Sequence, residues 1–251
     1  MRELFTRGAI VPVALLTSWS PQLLAQGFLE DSQGKLTLRN YYFNDDYRDG
    51  GNDRREWAQG FLLNLQSGYT EGAVGFGLGA VGLAGLKLDS SPTHAGTGLL
   101  PVHDDGHAAD GFSSLGVTAK MRIGDAVVKT GNLLPKIPVL VYNDGRLLPQ
   151  TFRGTQVEYT GIRDLYLHTG HLDKFKQRNS SDSVDIYPQG YAGDKGTDFD
   201  FAGASYKFTP NLSGTWYYGE MREFYRQQFL GLVHKLPVGS GSLTSDLRYF
   251  I

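Results

Sequence analysis

The strongest constraint in this sequence is a two-residue alternation of apolar and polar side chains within short segments. From Leu115 to Ile123 the odd positions hold Leu, Val, Ala, Met and Ile, whereas the even positions hold Gly, Thr, Lys and Arg. Successive side chains of a β-strand point to opposite faces, so this segment predicts a strand with one apolar and one basic or polar face. The same alternation recurs at residues 35–39, 60–66, 165–168, 202–208 and 243–249. The sequence therefore predicts an all-β fold with about eleven strands.

The connections between these segments alternate in length. Long polar connections take turns with short ones, as in an antiparallel up-and-down transmembrane β-barrel with tight turns at one end and long loops at the other. The long ones lie near 44–56, 89–113, 135–154 and 174–198, and the short ones at 67–71, 124–125, 163–164 and 210–211. Aromatic residues near strand ends would form girdles at the membrane surfaces, or pack in the core of a soluble protein. They are Tyr41, Tyr42, Trp57, Tyr69, Trp216, Tyr217 and Tyr218.

The N-terminus has the order of residues that is typical of a secretory signal peptide. Arg2 and Arg7 precede a short apolar stretch at 8–16, and small and polar residues follow up to Ala25. The chain has no Cys, which rules out disulfides, thiolate metal sites and a cysteine nucleophile. Its formal net charge of −2 argues against a nucleic-acid-binding protein. We expect a signal peptide at 1–25 and an exported bacterial envelope protein at 26–251.

Three motifs suggest other functions. Residues 77–82 have the glycine spacing of a dinucleotide site, but they lie inside a strand pattern and no helix pattern follows. A possible metal cluster lies in a loop without a helical or hairpin frame, and its residues are His94, His103 and His107 with Asp104, Asp105 and Asp110. His168 permits a hydrolase triad only on composition, because no Gly-x-Ser-x-Gly elbow is present. We therefore expect no enzyme activity, cofactor or metal.

Basic residues mostly share the polar face of the strands. In a barrel they would line the lumen, because cations that face lipid are energetically costly. A run of them would concentrate anions, and arginine binds carboxylates through two hydrogen bonds. The alternative is that each is an ordinary solvated charge. The set is Lys35, Arg39, Lys120, Arg122, Lys129, Lys207 and Arg248.

Two further segments are expected to shape a pore. Between residues 72 and 86 the apolar side chains share one face, and the other face is mostly Gly, which would leave free space inside a pore. The segment 135–154 is unusually apolar for a loop and contains three prolines, so it is expected to pack against other residues. If it folds into the lumen, Tyr142, Asp144 and Arg146 become candidates for a constriction. Packing outward on neighbouring loops is the alternative.

At these positions the chain resembles the OprD-type family of substrate-specific outer-membrane porins. The stretches that carry the resemblance are 27–32, 38–43, 55–61, 72–77, 96–101, 143–152 and 245–250, and the loop stretch 143–152 is the most specific. The resemblance implies an 18-stranded monomeric barrel with a narrow pore and an inward-folded loop. It also implies a basic ladder that passes small carboxylate-bearing solutes. Face parity assigns the ladder to Lys35, Arg39, Lys120, Arg122, Lys129 and Arg248.

Together these expectations predict a porin of the bacterial outer membrane that is inserted into lipid by the outer-membrane assembly machinery. It would admit small carboxylate solutes, such as amino acids and organic acids, by passive diffusion. Family members are longer, and eleven strands do not make the even-numbered closed barrel of a bacterial porin, so 26–251 is expected to be a partial, truncated barrel. The alternatives are a non-transporting surface or adhesive barrel and a secreted, soluble β-sandwich binding protein.

Overall fold

The structure, a computed structural model, describes residues 27–47, 50, 53–91, 93–188, 190–191, 193 and 196–251. The predicted signal peptide at 1–25 lies outside the described residues. Within the described ranges every helix or strand element is a β-strand. No helix in that part of the chain is long and apolar enough to cross a membrane.

The strands follow the predicted segments and extend most of them by a few residues. In chain order they are β1 (Gln33–Asp45), β2 (Arg54–Gln66), β3 (Val74–Ser90), β4 (Gly111–Ile123), β5 (Ala126–Leu133), β6 (Lys136–Ile137), β7 (Leu140–Val141), β8 (Thr151–Ile162), β9 (Leu165–Lys176), β10 (Ser183–Asp185), β11 (Phe199–Thr209), β12 (Leu212–Met221), β13 (Tyr225–Val238) and β14 (Gly241–Phe250).

Eleven of these strands form one antiparallel, up-and-down sheet. Its order is β1-β2-β3-β4-β5-β8-β9-β11-β12-β13-β14, so each strand pairs with the next long strand of the chain. The short β10 pairs with the end of β9, and β6 pairs with β7 inside the connection between β5 and β8. Within the described residues the sheet is not closed, because no strand pairs with the outer edge of β1 or of β14. The predicted antiparallel, up-and-down architecture is confirmed.

The connections alternate in length as predicted, up to β12. Two-residue turns at 124–125, 163–164 and 210–211 join β4 to β5, β8 to β9 and β11 to β12. Gly124 and Asp164 have φ angles of 54° and 63° in these turns, the left-handed conformation that tight hairpins use. The connection between β12 and β13 breaks the alternation. It lies at the end of the sheet that carries the long loops, but it is only the three-residue segment 222–224. Those loops are 46–53, 91–110, 134–150 and 177–198.

The apolar side chains of the strands lie on an exposed face, which we call the outer face. Leu36 and Leu38 are each 61% exposed, and Leu115 is 74% exposed. A soluble sandwich would bury such a face against a second sheet. The exposed outer face therefore favours the transmembrane barrel over the soluble β-sandwich alternative.

The aromatic residues near strand ends divide between the two faces. Tyr42, Trp57 and Trp216 are well exposed on the outer face, as a girdle requires. Tyr217 is only 4% exposed and packs in an apolar cluster on the opposite, inner face, and Tyr41 also packs inward. The girdle prediction was wrong for these two tyrosines, because neighbouring residues of a strand point to opposite faces.

Two apolar clusters lie between the inner face and the loops that cover it. One joins the loop 91–110 and the loop 134–150 to the inner face of β2 and β3, and the other joins 134–150 to β8, β9 and β11–β13. The loop 134–150 contributes Leu147 and Leu148 to the first cluster and Ile137 and Val139 to the second. The connection between β5 and β8 therefore packs across the inner face of the sheet.

Candidate solute pathway

The inner face carries all six residues of the predicted ladder. Cross-strand register sets Lys120 of β4 opposite Gly77 of β3 and Lys129 of β5, and it sets Arg122 opposite Gly75. The same parity continues through the paired strands to the remaining cations. Those of the ladder are Lys35 and Arg39 on β1 and Arg248 on β14, and Lys207 on β11 shares this face without being part of the ladder.

Glycines of β3 leave room for long side chains from neighbouring strands. A Cβ atom built on Gly77 would lie 3.0 Å from Cε of Lys120, and one on Gly79 would lie 2.8 Å from the amide of Gln66. The ring of Phe112 fills the equivalent space beside Gly85. The expectation that this glycine face leaves free space in a pore was wrong, because adjacent side chains occupy that space.

Lys120 and Arg122 share one aromatic ring. Nζ of Lys120 lies 5.2 Å from the centroid of Tyr69, and Cζ of Arg122 lies 4.7 Å from it, both within cation–π range. Lys120 also donates a hydrogen bond to the carbonyl oxygen of Ser67 at 2.7 Å. Neither cation forms an ion pair with a carboxylate of the described residues. Tyr69, which was expected in a girdle, instead contacts two cations of the inner face.

Two other ladder residues are paired with carboxylates. Nζ of Lys129 lies 2.6 Å from Oε1 of Glu158, and Nη2 of Arg248 lies 2.7 Å from Oδ2 of Asp246. Sequence reasoning missed Glu158, although its position on the polar parity of β8 gave the signal. These pairs reduce the net positive charge of the inner face locally, whereas Lys120 and Arg122 have no carboxylate partner among the described residues.

The loop 134–150 meets the ladder at Arg39. Nη1 and Nη2 of Arg39 donate to the two carboxylate oxygens of Asp144 at 2.6 and 2.9 Å. Nη1 also donates to the carbonyl oxygen of Arg146 at 3.3 Å. Tyr142 and Asp144 border a small cavity of about 140 Å³ together with Lys35 and Arg39. Two of the three predicted constriction residues therefore lie beside two ladder residues.

Arg146, the third predicted constriction residue, connects two loops and a strand. Its Cζ atom lies 4.7 Å from the ring centroid of Phe43, and its Nε donates to the carbonyl oxygen of Thr97 at 3.2 Å. Arg178 in the loop 177–198 was missed, because no alternation marks that segment. Burial, together with the charge of Arg146, lowers the pKa of the Arg178 guanidinium. A Cβ atom built on Gly145 would lie 3.7 Å from Nη1 of Arg178, so this side chain reaches the loop 134–150.

The other motifs lie apart from this face or inside a strand. Residues 77–82 form the middle of β3. Nδ1 of His107 lies 3.3 Å from Oδ1 of Asp105, but the described residues bring no three potential metal ligands together. His168 is buried against Phe201, with 4.9 Å between the ring centroids, and its Nδ1 lies 3.4 Å from the hydroxyl of Tyr217. This histidine is packed by aromatic rings.

Known proteins are similar to this chain along most of its length. Residues 26–251 match the family described as outer membrane porin, OprD family. Porin-like protein GalP of Pseudomonas putida is 39% identical over 246 residues, which cover 96% of this chain and 60% of that protein. Porin D of Pseudomonas aeruginosa is 41% identical over 232 residues, which cover 92% of this chain and 52% of that protein.

A solved structure agrees with the fold. The crystal structure of Pseudomonas aeruginosa OpdK with vanillate is 44% identical and superimposes with a TM-score of 0.82. The match covers 90% of this chain and 58% of that one. The chain thus spans between about half and three-fifths of the length of these relatives.

Proposed function

The chain belongs to the OprD family of outer-membrane porins, and on this premise we propose that it forms part of a narrow, passive channel for small solutes that carry a carboxylate. The relatives are channel proteins rather than enzymes. The proposal includes an 18-stranded, monomeric barrel, of which the eleven strands of the sheet would be one part. It also includes export through a signal peptide and insertion into outer-membrane lipid by the assembly machinery.

The observation that carries this proposal is the shared face of the basic residues. Six predicted ladder residues lie on the face of the sheet opposite the exposed leucines. In a barrel that turns its apolar face to lipid, this inner face surrounds the lumen. Cations on a wall of low dielectric concentrate anions and steer them along the pore.

The loop 134–150 supports the narrowness of the proposed channel. It packs across the inner face through Leu147 and Leu148, and Asp144 binds Arg39 from the same side. A segment on the lumen side of a barrel occupies cross-section that ions and solutes would otherwise use. We therefore assign the constriction to Tyr142, Asp144 and Arg146.

The solute class follows from charge and hydrogen-bond geometry. The guanidinium group binds a carboxylate through two parallel hydrogen bonds, as Arg39 does with Asp144. Vanillate, the compound named with the OpdK structure, is itself a small carboxylate, which supports this class.

Single-channel recording in planar bilayers tests the proposal. The complete 18-stranded barrel of the proposal should give small conductance steps in KCl, and added benzoate should block the current. Substitution of Arg122→Gln together with Lys120→Gln should weaken that block, because neither cation is paired with a carboxylate of the described residues. The matched control is Arg163→Gln, whose side chain is exposed in a two-residue turn. Equal block in the double variant and the wild type would contradict the ladder.

Deletion of residues 137–148 separates the channel from a surface or adhesive barrel. If the loop narrows a pore, the conductance should rise in the deletion variant. An unchanged conductance would contradict the constriction and favour a function of the outer loops.

A further inference from the structure

We infer that Glu56 is a positioning residue for the constriction and that it acts through Thr97 on Arg146. This inference rests on the proposed channel function. Glu56 belongs to β2, and neither the ladder nor the constriction loop includes it.

Glu56 is a fully buried carboxylate with one set of donors. Its side chain is 0% exposed, and its Oε2 atom accepts hydrogen bonds from the backbone N–H of Thr97 at 3.1 Å and from the Thr97 hydroxyl. Its Oε1 atom has no hydrogen-bond partner within the described part of the chain. Burying a carboxylate is costly unless donors compensate it. The contact with Thr97 is therefore what holds this side chain in place.

Thr97 passes the contact on to the constriction loop. Its carbonyl oxygen accepts the hydrogen bond from Nε of Arg146, and the carbonyl oxygen of Arg146 accepts one from Arg39. A continuous series of hydrogen bonds thus runs from β2 through the loop 91–110 to the loop 134–150 and on to β1. The Arg146 guanidinium also donates to the carbonyl oxygen of Gly145 in its own loop, so movement of Thr97 removes the acceptor that ties this group to the loop 91–110.

Neighbouring contacts hold the loop 91–110 independently of Glu56. The backbone N–H of Arg55 donates to the carbonyl oxygen of His94 at 2.8 Å, and Leu99 and Leu100 are buried in the cluster that contains Leu147. Loss of the Glu56 carboxylate should therefore release Thr97 locally and leave the sheet and the apolar cluster intact.

A role in stability alone is a poor account of this carboxylate. Apolar replacements of buried ionic groups are often neutral or stabilising, because desolvation offsets the attraction. What an apolar side chain cannot supply is an acceptor at the position that fixes the Thr97 backbone. The placement of Arg146 is therefore the property that depends on Glu56.

The experiment compares three substitutions in the complete barrel of the proposed function, purified and inserted into planar bilayers. Glu56→Ala removes both acceptors and should change the single-channel conductance by about twofold, because pore cross-section controls conduction. Glu56→Gln keeps one acceptor oxygen and should lie closer to the wild type. Thr97→Val removes only the hydroxyl and should have an intermediate effect. Glu71→Gln is the matched control, because Glu71 is exposed in the connection between β2 and β3.

Two further measurements separate positioning from destabilisation. Circular dichroism and heat-modifiable migration on gels should match the wild type in every variant that is scored. Glu56→Ala added to Arg146→Ala should cause no further change in conductance, because both act through one contact. Wild-type conductance in a folded Glu56→Ala variant, or full additivity with Arg146→Ala, would overturn the inference.

Trypsin cleavage in detergent gives a readout that needs no channel. Cleavage after Arg146, measured by mass spectrometry against cleavage after the exposed Arg163, should be several-fold faster in Glu56→Ala. A wild-type protein that conducts no current would contradict the proposed function alone. An unchanged cleavage ratio would contradict the role of Glu56 alone.

Discussion

Arg39 and Asp144 are 105 residues apart in sequence and are joined by a bidentate ion pair, with Nη1–Oδ1 and Nη2–Oδ2 distances of 2.6 and 2.9 Å. The pair fixes the loop 134–150 to β1, the first strand of the sheet. In the proposed channel it also places a carboxylate where a permeating anion would otherwise meet the guanidinium. The same contact therefore anchors the loop and reduces the local positive charge.

Substitution of Asp144→Asn should increase anion preference, because it leaves the charge of Arg39 uncompensated. The reversal potential in a KCl gradient should shift toward the equilibrium potential of chloride. The free energy of unfolding should change by no more than about 1 kcal/mol, because both side chains are partly exposed. Asp173→Asn, which breaks the similarly exposed pair with Arg153, is the control and should leave the reversal potential unchanged. An identical shift in both variants would contradict a specific role of Asp144.

Substitution of Gly77→Ala should destabilise the fold and displace Lys120. The added Cβ atom would lie 2.6 Å from the carbonyl oxygen of Gly68 and 3.0 Å from Cε of Lys120, so we expect a cost of about 1–3 kcal/mol. Gly82→Ala is the matched control on the same strand, since its Cβ atom would lie 3.7 Å from the Cβ atom of Leu63. Urea unfolding in detergent measures both, and equal midpoints would show that the inner face tolerates the methyl group.

Substitution of Leu147→Ala should loosen the loop 134–150. Leu147 is 0% exposed and packs over Gly60 of β2, so its truncation should cost about 2–5 kcal/mol and raise the single-channel conductance. Leu115→Ala on the outer face provides the control, because Leu115 contacts no loop cluster. A stability loss without any change in conductance would mean that the loop does not narrow the pore.

Substitution of Leu115→Arg should impair membrane insertion, because it places a cation on the face that would contact lipid. The expected cost is about 2–4 kcal/mol if the position lies near the bilayer centre. Ser114→Arg is the adjacent control on the inner face and should insert normally. Folding into lipid vesicles, followed by gel migration, measures this difference. Equal insertion of both variants would contradict the assignment of the two faces.

Strand parity was enough to predict the faces of the sheet and the side on which the basic residues lie. For Lys120 and Arg122 the two-residue period alone gives the face, because side-chain direction is a local property of a strand. The alternation of loop lengths likewise predicted the up-and-down topology. These features depend on residues that are close in sequence.

The contacts between inner-face side chains and the long loops could not be predicted from strand parity. The contacts of Arg39 with Asp144 and of Glu56 with Thr97 depend on how the long loops fold back over the sheet, and no period marks their placement. The glycines of β3 misled for a related reason, since the side chain that fills the space beside Gly77 comes from another strand. Packing between distant segments decided these details.

The number of strands in the sheet limits how the sheet can become part of a closed β-barrel. In an antiparallel, up-and-down sheet of eleven strands the first and the last strand run in the same direction. These two edge strands could therefore pair with each other only as parallel strands. If two copies of the sheet lay in a membrane in the same orientation, the edge strands that met would also run in the same direction. Both junctions between the copies would then be parallel strand pairs. Only an odd number of additional strands gives a closed barrel in which every pair of neighbouring strands is antiparallel.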